Sequence, residues 1–155
     1  MAEVPAWDDL VAGRDCPLCS SRPKDAYFVR QLETCSLYLA NNQVYRGQAA
    51  VVYDLKHVAR VDQLFESEWR AFAEEIHAVQ SAIQRVFSPD HINLESLGNS
   101  VPHLHFHFIP RYKSDKRWGY PIWTTRRGEM AVRLLDEDAY AEMAGALNRE
   151  FEDVA

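Results

Sequence analysis

The chain has 155 residues, of which 47% are hydrophobic and 26% charged, and its formal net charge is −6. This length and apolar content fit a single α+β domain spanning 1–155 rather than two domains. Nucleic-acid backbones and anionic lipid surfaces attract clustered Lys and Arg, so the net negative charge argues against general nucleic-acid or membrane-surface binding. No run approaches 18 apolar residues, and residues 1–9 carry acids and a proline instead of a basic apolar leader, so we expect a cytoplasmic protein.

Three short strands are predicted in the first part of the chain, because β-branched and aromatic residues cluster there between turn signals. They run over Tyr27–Arg30, Cys35–Ala40 and Gln48–Tyr53. Asn41 and Asn42 mark the turn after the second strand. The third strand, with its Ala-Ala-Val-Val run, is predicted to be buried and leads to His57.

A long helix is predicted from Ser67 to Phe87, because apolar residues recur there at three- and four-residue steps. These residues are Trp69, Phe72, Ile76, Val79, Ile83 and Val86. Ser67 is the N-cap candidate, and the segment 88–90 ends the helix. Two further strands, Ile92–Leu97 and Leu104–Ile109, precede a C-terminal helix over Asp136–Phe151. The pattern predicts an antiparallel sheet of about five strands with one long helix and a C-terminal helix.

The most informative segment is 101–110, in which His103, His105 and His107 occupy every second position. A strand sends successive side chains to opposite faces, so the three imidazoles are predicted to share one face. The opposite face would carry Leu104, Phe106 and Phe108. A polar strand face is more readily solvated by Lys, Thr or Glu, and a buried imidazole is costly without a partner. The spacing therefore indicates chemistry rather than packing.

Distance disfavours a single metal bound by all three histidines. At roughly 3.4 Å per residue, the Cα atoms of His103 and His107 lie about 13.6 Å apart, with His105 crowded between them. One or two of these residues acting as ligand or base, with His105 free for chemistry, fits the geometry better. A neutral imidazole is a competent nucleophile near pH 7, and phosphorus is a suitable electrophile because the resulting phosphoramidate is labile to water.

Cys16 and Cys19 have the two-residue spacing of a zinc knuckle. In a cytoplasmic chain such a pair is more often metal-binding or redox-active than disulfide-bonded. A thioredoxin-like motif would follow a strand and open a helix, whereas this pair precedes the first predicted strand, so we favour a metal site. A tetrahedral zinc ion needs two more ligands. The available histidines are His57, His77, His91 and His103.

A resemblance to a known family rests on a segment that reads Gly98-Asn99-Ser100-Val101-Pro102-His103-Leu104-His105-Phe106-His107-Phe108-Ile109. This segment resembles the signature of the histidine-triad (HIT) family, in which three histidines alternate with apolar residues after a Gly-Gln-Ser-like lead-in. The likeness is greatest to bacterial members described as diadenosine tetraphosphate hydrolase-like, and it covers about residues 14–127. Asn99 stands where the family usually has Gln, which shortens the reach of this side chain.

The resemblance implies a HIT-like fold and a nucleotide hydrolase or nucleotidyl transferase that acts on dinucleoside polyphosphates or related nucleotides. The reaction would pass through a covalent nucleotidyl-histidine, with His105 attacking the α-phosphorus. His107 and Ser100 would bind phosphoryl oxygens, and Asn93 and Asn99 would orient ribose or phosphate. No organic cofactor is implied. A homodimer is expected, because HIT proteins resembling this one form two-fold dimers.

The resemblance also selects among the zinc ligands. Some HIT proteins use an N-terminal Cys-x-x-Cys, the histidine after the preceding core strand and the first histidine of the triad. Carried over, the ligands would be Cys16, Cys19, His57 and His103, and the zinc would be structural. A His103 that binds metal cannot shuttle protons as well, so its backbone carbonyl is the predicted partner of the His105 ring.

Two loop features leave alternatives open. The basic residues Arg111, Lys113, Lys116, Arg117, Arg126 and Arg127 could bind a polyphosphate tail or form a solvated loop. Trp118 and Trp123 could stack on a nucleobase, cover the sheet or form a dimer interface, and we favour packing or dimerisation. Phe28 and Leu37 are predicted to contribute to an apolar pocket for the base.

Two rival functions belong to other classes. The first is a nucleotide-binding or partner-binding module without significant turnover. The complete set of His103, His105 and His107 argues against it, since loss of the middle histidine would be the expected mark of a binding-only descendant. The second is a zinc hydrolase whose metal-bound water is the nucleophile. It predicts inactivation by strong chelators and no covalent intermediate.

Overall fold

The computed structural model describes residues 5–20, 23 and 25–152. Its strands are β1 (Ala26–Gln31), β2 (Cys35–Ala40), β3 (Ala49–Tyr53), β4 (His91–Glu95) and β5 (His105–Arg111). They form one antiparallel sheet in the order β1-β2-β3-β5-β4, which confirms the predicted α+β class and the five-stranded sheet. Because β5 lies between β3 and β4, the strand that carries the alternating histidines is hydrogen-bonded on both sides.

Four α-helices occur within the described residues, and none of them is both long and apolar enough to cross a bilayer. They are α1 (Trp7–Val11), α2 (Pro17–Ser20), α3 (Glu66–Phe87) and α4 (Glu137–Glu152). Helix α3 begins one residue before the predicted start, and α4 begins and ends one residue later than predicted. The prediction of Ser67 as the N-cap is wrong, because the helix begins at Glu66. There, the Glu68 carboxylate accepts the backbone N–H of Phe65 at 2.8 Å and satisfies an otherwise free donor.

Helix α3 covers one face of the sheet with an apolar stripe. The buried residues of this stripe are Phe72, Ile76, Val79, Ala82, Ile83 and Phe87. They pack in one core with Leu37, Leu39, Val51 and Phe108 from the sheet, all at most 1% exposed. Burying each such side chain stabilises the fold by about 1.5–3 kcal/mol. Leu37 belongs to this core, so the prediction that it lines a base pocket is wrong.

The triad strand starts later than predicted. β5 begins at His105 rather than Leu104, and His103 therefore lies outside the ladder, where strict alternation of faces no longer applies. The His103 side chain is 3% exposed, and its Nε2–H donates to the backbone oxygen of Tyr53 at 2.7 Å. The expectation that three imidazoles share one face is correct only for His105 and His107, which pair with alternate residues of β3, Val52 and Ala50.

Candidate active site and metal centre

His105 and His107 extend from β5 into the same pocket. The Nδ1–H of His105 donates to the backbone oxygen of His103 at 2.5 Å, which is the bond expected from the sequence if the His103 ring is engaged elsewhere. A neutral imidazole carries hydrogen on only one nitrogen, so Nε2 of His105 holds the free lone pair. His105 is therefore positioned to act as a nucleophile or base through Nε2.

His107 is packed between two aromatic rings. Its ring centroid lies 5.0 Å from that of His105 and 5.4 Å from that of Trp123. Burial, together with a smaller effect of the neighbouring His105, lowers the pKa of His107 to about 4. The Trp123 indole N–H donates to the carboxylate of Glu95, which lies opposite His107 in the β4–β5 pairing. His107 is consequently neutral near pH 7, with one N–H that can donate to a ligand.

The lowered pKa of His107 implies a pH-dependent stability. An unfolded histidine has a pKa of about 6.5. Between about pH 4 and 6.5 the unfolded chain therefore binds more protons at this site than the folded protein, and the free energy of unfolding rises with pH. Above this window the contribution is constant. His107→Gln should remove a slope of at most about 1.4 kcal/mol per pH unit. Urea unfolding at several pH values measures this, and identical slopes in both proteins would contradict the assignment.

The pocket has a volume of about 900 Å³, a size typical of small-molecule sites. Its apolar wall comes from the sheet face that α3 leaves uncovered. The wall residues include Tyr38, Ala40, Ala50 and Val52. Phe28 contacts the ring of Tyr38, with centroids 5.7 Å apart. Further lining comes from the segment 115–131, which contributes Lys116, Arg117 and Trp123.

The loop between β4 and β5 carries the predicted phosphate-binding lead-in. β4 ends at Glu95, earlier than the predicted Leu97, and the chain turns at Gly98, whose φ of 67° favours glycine. Asn99 and Ser100 follow as exposed residues, and Val101 after them lines the pocket. Neither Asn99 nor Ser100 is among the lining residues of the pocket, so their contact with phosphate stays a prediction.

Arg111 is buried, with 2% of its surface exposed. It donates hydrogen bonds of 2.6 to 2.8 Å to side-chain oxygens of Asn93 and Asp115 and to backbone oxygens of Arg117 and Tyr120. A buried guanidinium needs partners of this kind. Arg111 thus organises the loop that follows β5. It is neither a residue of a solvated loop nor a free cation for a polyphosphate tail, the two interpretations of the basic stretch. Asn93 is engaged by Arg111 through its side-chain oxygen.

The rest of the basic stretch divides into two groups. Lys116 and Arg117 line the pocket, so the polyphosphate interpretation stays open for them. Lys113 and Arg126 are exposed, as a solvated loop requires. The side chain of Arg127 lies outside the described residues. Of the two tryptophans in question, Trp123 lines the pocket and Trp118 does not, and both are 41% exposed.

Four potential metal ligands converge beside the start of β5. One ligand atom each from Cys16, Cys19, His57 and His103 lies within 4.8 Å of all the others. The Cys19 Sγ lies 3.2 Å from Nδ1 of His57 and 3.3 Å from Nδ1 of His103, and the Cys16 Sγ lies 3.5 Å from the latter. Two cysteines and two histidines are a common ligand set for tetrahedral zinc. The structure thus brings together the four residues that the family resemblance selects.

Backbone hydrogen bonds hold both imidazoles ready for metal binding. The Nε2–H of His57 donates to Val11 at 3.1 Å, and that of His103 donates to Tyr53 at 2.7 Å. The Nδ1 atoms that face the sulfurs are therefore unprotonated, as metal ligation requires. Gly13 allows the N-terminal segment to approach. Its φ is 79°, and a Cβ there would lie 3.1 Å from the His57 ring.

The electrostatics of the cluster also favour a cation. Burial raises the pKa of the Cys19 thiol to about 11, and the adjacent Cys16 acts in the same direction. Cys19 therefore stays protonated at neutral pH unless a positive charge offsets these effects. A divalent cation supplies that charge and deprotonates coordinating thiols. The donor set, the tautomers and the thiol electrostatics all fit a zinc ion.

Comparison with known proteins places this geometry in a family. The sequence profile of the HIT domain matches residues 22–114, more than half of the chain. The chain belongs to the HIT family. This HIT protein is similar in structure to a histidine triad protein from Bradyrhizobium japonicum, with a TM-score of 0.74 and 25% identity over 84% of this chain and 96% of that one. No curated protein matches its sequence.

Two further solved structures share the fold. A histidine triad protein from Marinobacter aquaeolei has a TM-score of 0.74 and 24% identity, over 84% of this chain and 92% of that one. A Zn-bound histidine triad family protein from Mycobacterium smegmatis has a TM-score of 0.58 and 17% identity, over 88% of this chain and 92% of that one. The match between this HIT protein and both neighbours spans most of each chain.

Three residues of this HIT protein have site roles that the sequence did not reveal. Glu95 was detectable, because strand alternation puts it on the same face as Asn93 and antiparallel pairing sets it opposite His107. The contact between Trp123 and His107 carried no sequence signal, since it depends on the path of an irregular loop. The burial of Arg111 depends on the same loop.

Proposed function

We propose that this HIT protein is a nucleotide hydrolase or nucleotidyl transferase that acts on dinucleoside polyphosphates or related nucleotides. The observation that carries the proposal is the hydrogen bond from His105 Nδ1 to the His103 carbonyl. It leaves Nε2 of His105 as a nucleophile in a pocket large enough for a nucleotide. Membership of the HIT family, whose members are commonly nucleotide hydrolases or transferases, supports the same conclusion.

The proposed reaction has two steps at the α-phosphorus. Nε2 of His105 attacks, a P–N bond forms, and the P–O bond to the leaving group breaks with its electron pair on the leaving oxygen. Water then attacks the same phosphorus and loses a proton to solvent, the P–N bond breaks with its electron pair returning to Nε2 of His105, and a nucleoside monophosphate is released. The His103 carbonyl accepts the Nδ1 hydrogen throughout and stabilises the positive charge that develops on the His105 ring.

The other site residues bind and orient the substrate in this proposal. Neutral His107 donates its N–H to a phosphoryl oxygen, and the hydroxyl of Ser100, the residue before the pocket-lining Val101, donates to another. Asn99, beside Ser100, orients the ribose or a phosphate. Asn93 acts indirectly, because its side-chain oxygen is bound to Arg111. The apolar wall around Tyr38 accepts the base.

A substrate panel tests the reaction class. The protein is incubated with diadenosine polyphosphates, adenosine 5′-phosphoramidate and adenylylated amines, and the products are separated by chromatography. Release of AMP from at least one of these compounds is the expected result. Nucleotide binding without any product would instead favour the alternative, a nucleotide-binding or partner-binding module without turnover.

We also propose that the Cys2His2 cluster holds a structural zinc ion. Cys16, Cys19, His57 and His103 supply four ligands, which fill a tetrahedral shell and leave no position for a reactive water. This argues against the zinc-hydrolase alternative. When bound, zinc would cross-link the N-terminal segment to the residues that precede β5. The chemical step needs no metal.

We propose a homodimer as the state in solution. Large apolar side chains are exposed around β4, an edge strand of the sheet. They are Leu94, Leu97, Trp118 and Tyr120, each at least 41% exposed. Contiguous exposed apolar surface of this kind marks interfaces. Light scattering at micromolar concentration should give twice the chain mass, and a monomer mass throughout that range would disprove the dimer.

A further inference from the structure

Lys116 and Arg117 stand apart from the other basic residues. Among the described residues, they are the basic side chains that line the pocket of His105 and His107. The remaining lining around the imidazoles is largely apolar, so these two cations dominate the positive potential at the site. Arg117 is half-buried and Lys116 is exposed, so the apolar walls strengthen the interaction of Arg117 with anions more than that of Lys116.

The carboxylates of the pocket compensate these cations only in part, since Asp115 interacts electrostatically with Arg117 but forms no ion pair with its side chain. Asp115 is the acid nearest in sequence, and its Oδ2 is bound to Arg111 at 2.6 Å while its Oδ1 accepts the backbone N–H of Arg117 at 2.8 Å. Asp25 and Glu129 also line the pocket, both as exposed residues. Within the described ranges, no carboxylate forms an ion pair with the side chain of Lys116 or Arg117.

The Arg117 guanidinium is held in place by its neighbours, but only some of its hydrogen-bond donors have a partner. Its Nη2 donates to the Thr124 hydroxyl, and its Cζ lies 5.6 Å from the centroid of the Tyr120 ring. Its Nε is buried and has no hydrogen-bond partner among the residues that the structure describes. Thr124 adjoins Trp123, whose ring contacts His107. An unpaired buried donor of this kind is costly, so the guanidinium keeps hydrogen-bonding capacity that the described residues do not fill.

The backbone of this cationic segment is held in place before any ligand binds. The buried Arg111 donates to the backbone oxygen of Arg117 at 2.6 Å and to that of Tyr120 at 2.8 Å. Ordering a loop on binding costs free energy, and a preorganised loop avoids most of that cost. The segment therefore behaves as part of the site rather than as a mobile basic tail.

We propose that Arg117 and Lys116 form a subsite for an anionic leaving group, the phosphate chain beyond the scissile bond. This inference rests on the proposed function. When the P–O bond breaks, its electron pair stays on the bridging oxygen, and the polyphosphate leaves without taking up a proton. The two cations hold that charge. A phosphoramidate instead expels an amine, which must take up a proton. The two cations do not stabilise this leaving group. The subsite thus selects polyphosphates over phosphoramidates.

Two substrates with the same adenylyl half test the subsite. Arg117→Gln should lower kcat/KM for diadenosine tetraphosphate by roughly 10- to 100-fold, as for loss of a charge-assisted hydrogen bond. The value for adenosine 5′-phosphoramidate should stay within about threefold. Arg126→Gln removes an exposed cation of the same basic stretch and should leave both values unchanged. Equal losses on both substrates in Arg117→Gln, or no loss on either, would overturn the subsite.

Binding measurements separate failure of this inference from failure of the proposed function. In a His105→Asn background, calorimetry without magnesium compares the affinities for ATP and AMP. ATP should bind at least about tenfold more tightly, and adding Arg117→Gln should reduce this ratio severalfold, with the remainder due to Lys116. A ratio that Arg117→Gln does not change would overturn the subsite. Catalysis that survives His105→Asn would instead overturn the covalent mechanism, whatever the affinity ratio.

Discussion

Replacing His105 by Asn is expected to lower kcat by about 10⁴-fold or more while the fold and nucleotide binding are retained. Nε2 of His105 carries the lone pair that attacks phosphorus, and an asparagine amide has no equivalent nucleophile. The Asn side chain can still donate to the His103 carbonyl that receives Nδ1–H in the wild type. The loss should therefore reflect missing chemistry rather than a collapsed strand. Steady-state kinetics on the substrate identified by the panel measures it.

A matched control and a direct observation sharpen this test. His77→Asn changes an exposed histidine of α3 and should leave kcat unaffected. Because a phosphoramidate is labile to acid, mass spectrometry after a quench without acid should find a nucleotide adduct on the wild type and none on His105→Asn. Activity retained within about tenfold in His105→Asn would refute the covalent mechanism.

Periodicity was sufficient to predict the main frame of the molecule. The three-and-four spacing of apolar residues predicted α3 to within one residue, because one stripe of that helix supplies much of the core. Two-residue alternation likewise predicted that His105 and His107 share a face. The same rule, applied to Leu37 and Leu39, would have placed both under the helix rather than in a base pocket. Leu37 was assigned to the base pocket from its apolar side chain alone, without regard to the face of the strand on which it lies.

The position of His103 shows where periodicity stops being informative. Alternation holds only while the backbone is paired in a ladder, and pairing in β5 begins at His105. One residue earlier, the chain turns so that Leu104 exchanges backbone hydrogen bonds with Val58 and Tyr53. No local pattern encodes that change, which depends on the end of β3 and the segment after it. The same holds for Trp123, whose position depends on a loop organised by the buried Arg111.

His103 couples the two halves of the site through different atoms. Its Nδ1 faces the Cys16 and Cys19 sulfurs, its Nε2–H donates to Tyr53, and its carbonyl accepts the Nδ1–H of His105. A metal bound at the cluster would therefore act on the nucleophile only by fixing the backbone of His103. Zinc loss should consequently reduce stability far more than it reduces the intrinsic rate.

The double substitution Cys16→Ser and Cys19→Ser is expected to remove one zinc per chain and to lower the melting temperature by roughly 10 °C. Tight binding to the folded state alone contributes about 4 kcal/mol when the free ligand is about a thousandfold above Kd. For a chain of this size each kcal/mol shifts the melting temperature by about 2–4 °C. Elemental analysis and thermal denaturation make the two measurements.

Controls on the same chain assign the effect to the cluster. Cys35→Ala removes the third cysteine, which contacts Glu75 and lies outside the cluster, so it should keep its full zinc content. The Cys16→Ser and Cys19→Ser protein should lose less activity than His105→Asn, because the His105 ring and the pocket remain. Zinc that persists after both substitutions, or metal-free wild type as stable as the zinc-bound form, would show that the four-ligand assignment is wrong. His103 would then again be a candidate proton donor to the leaving group.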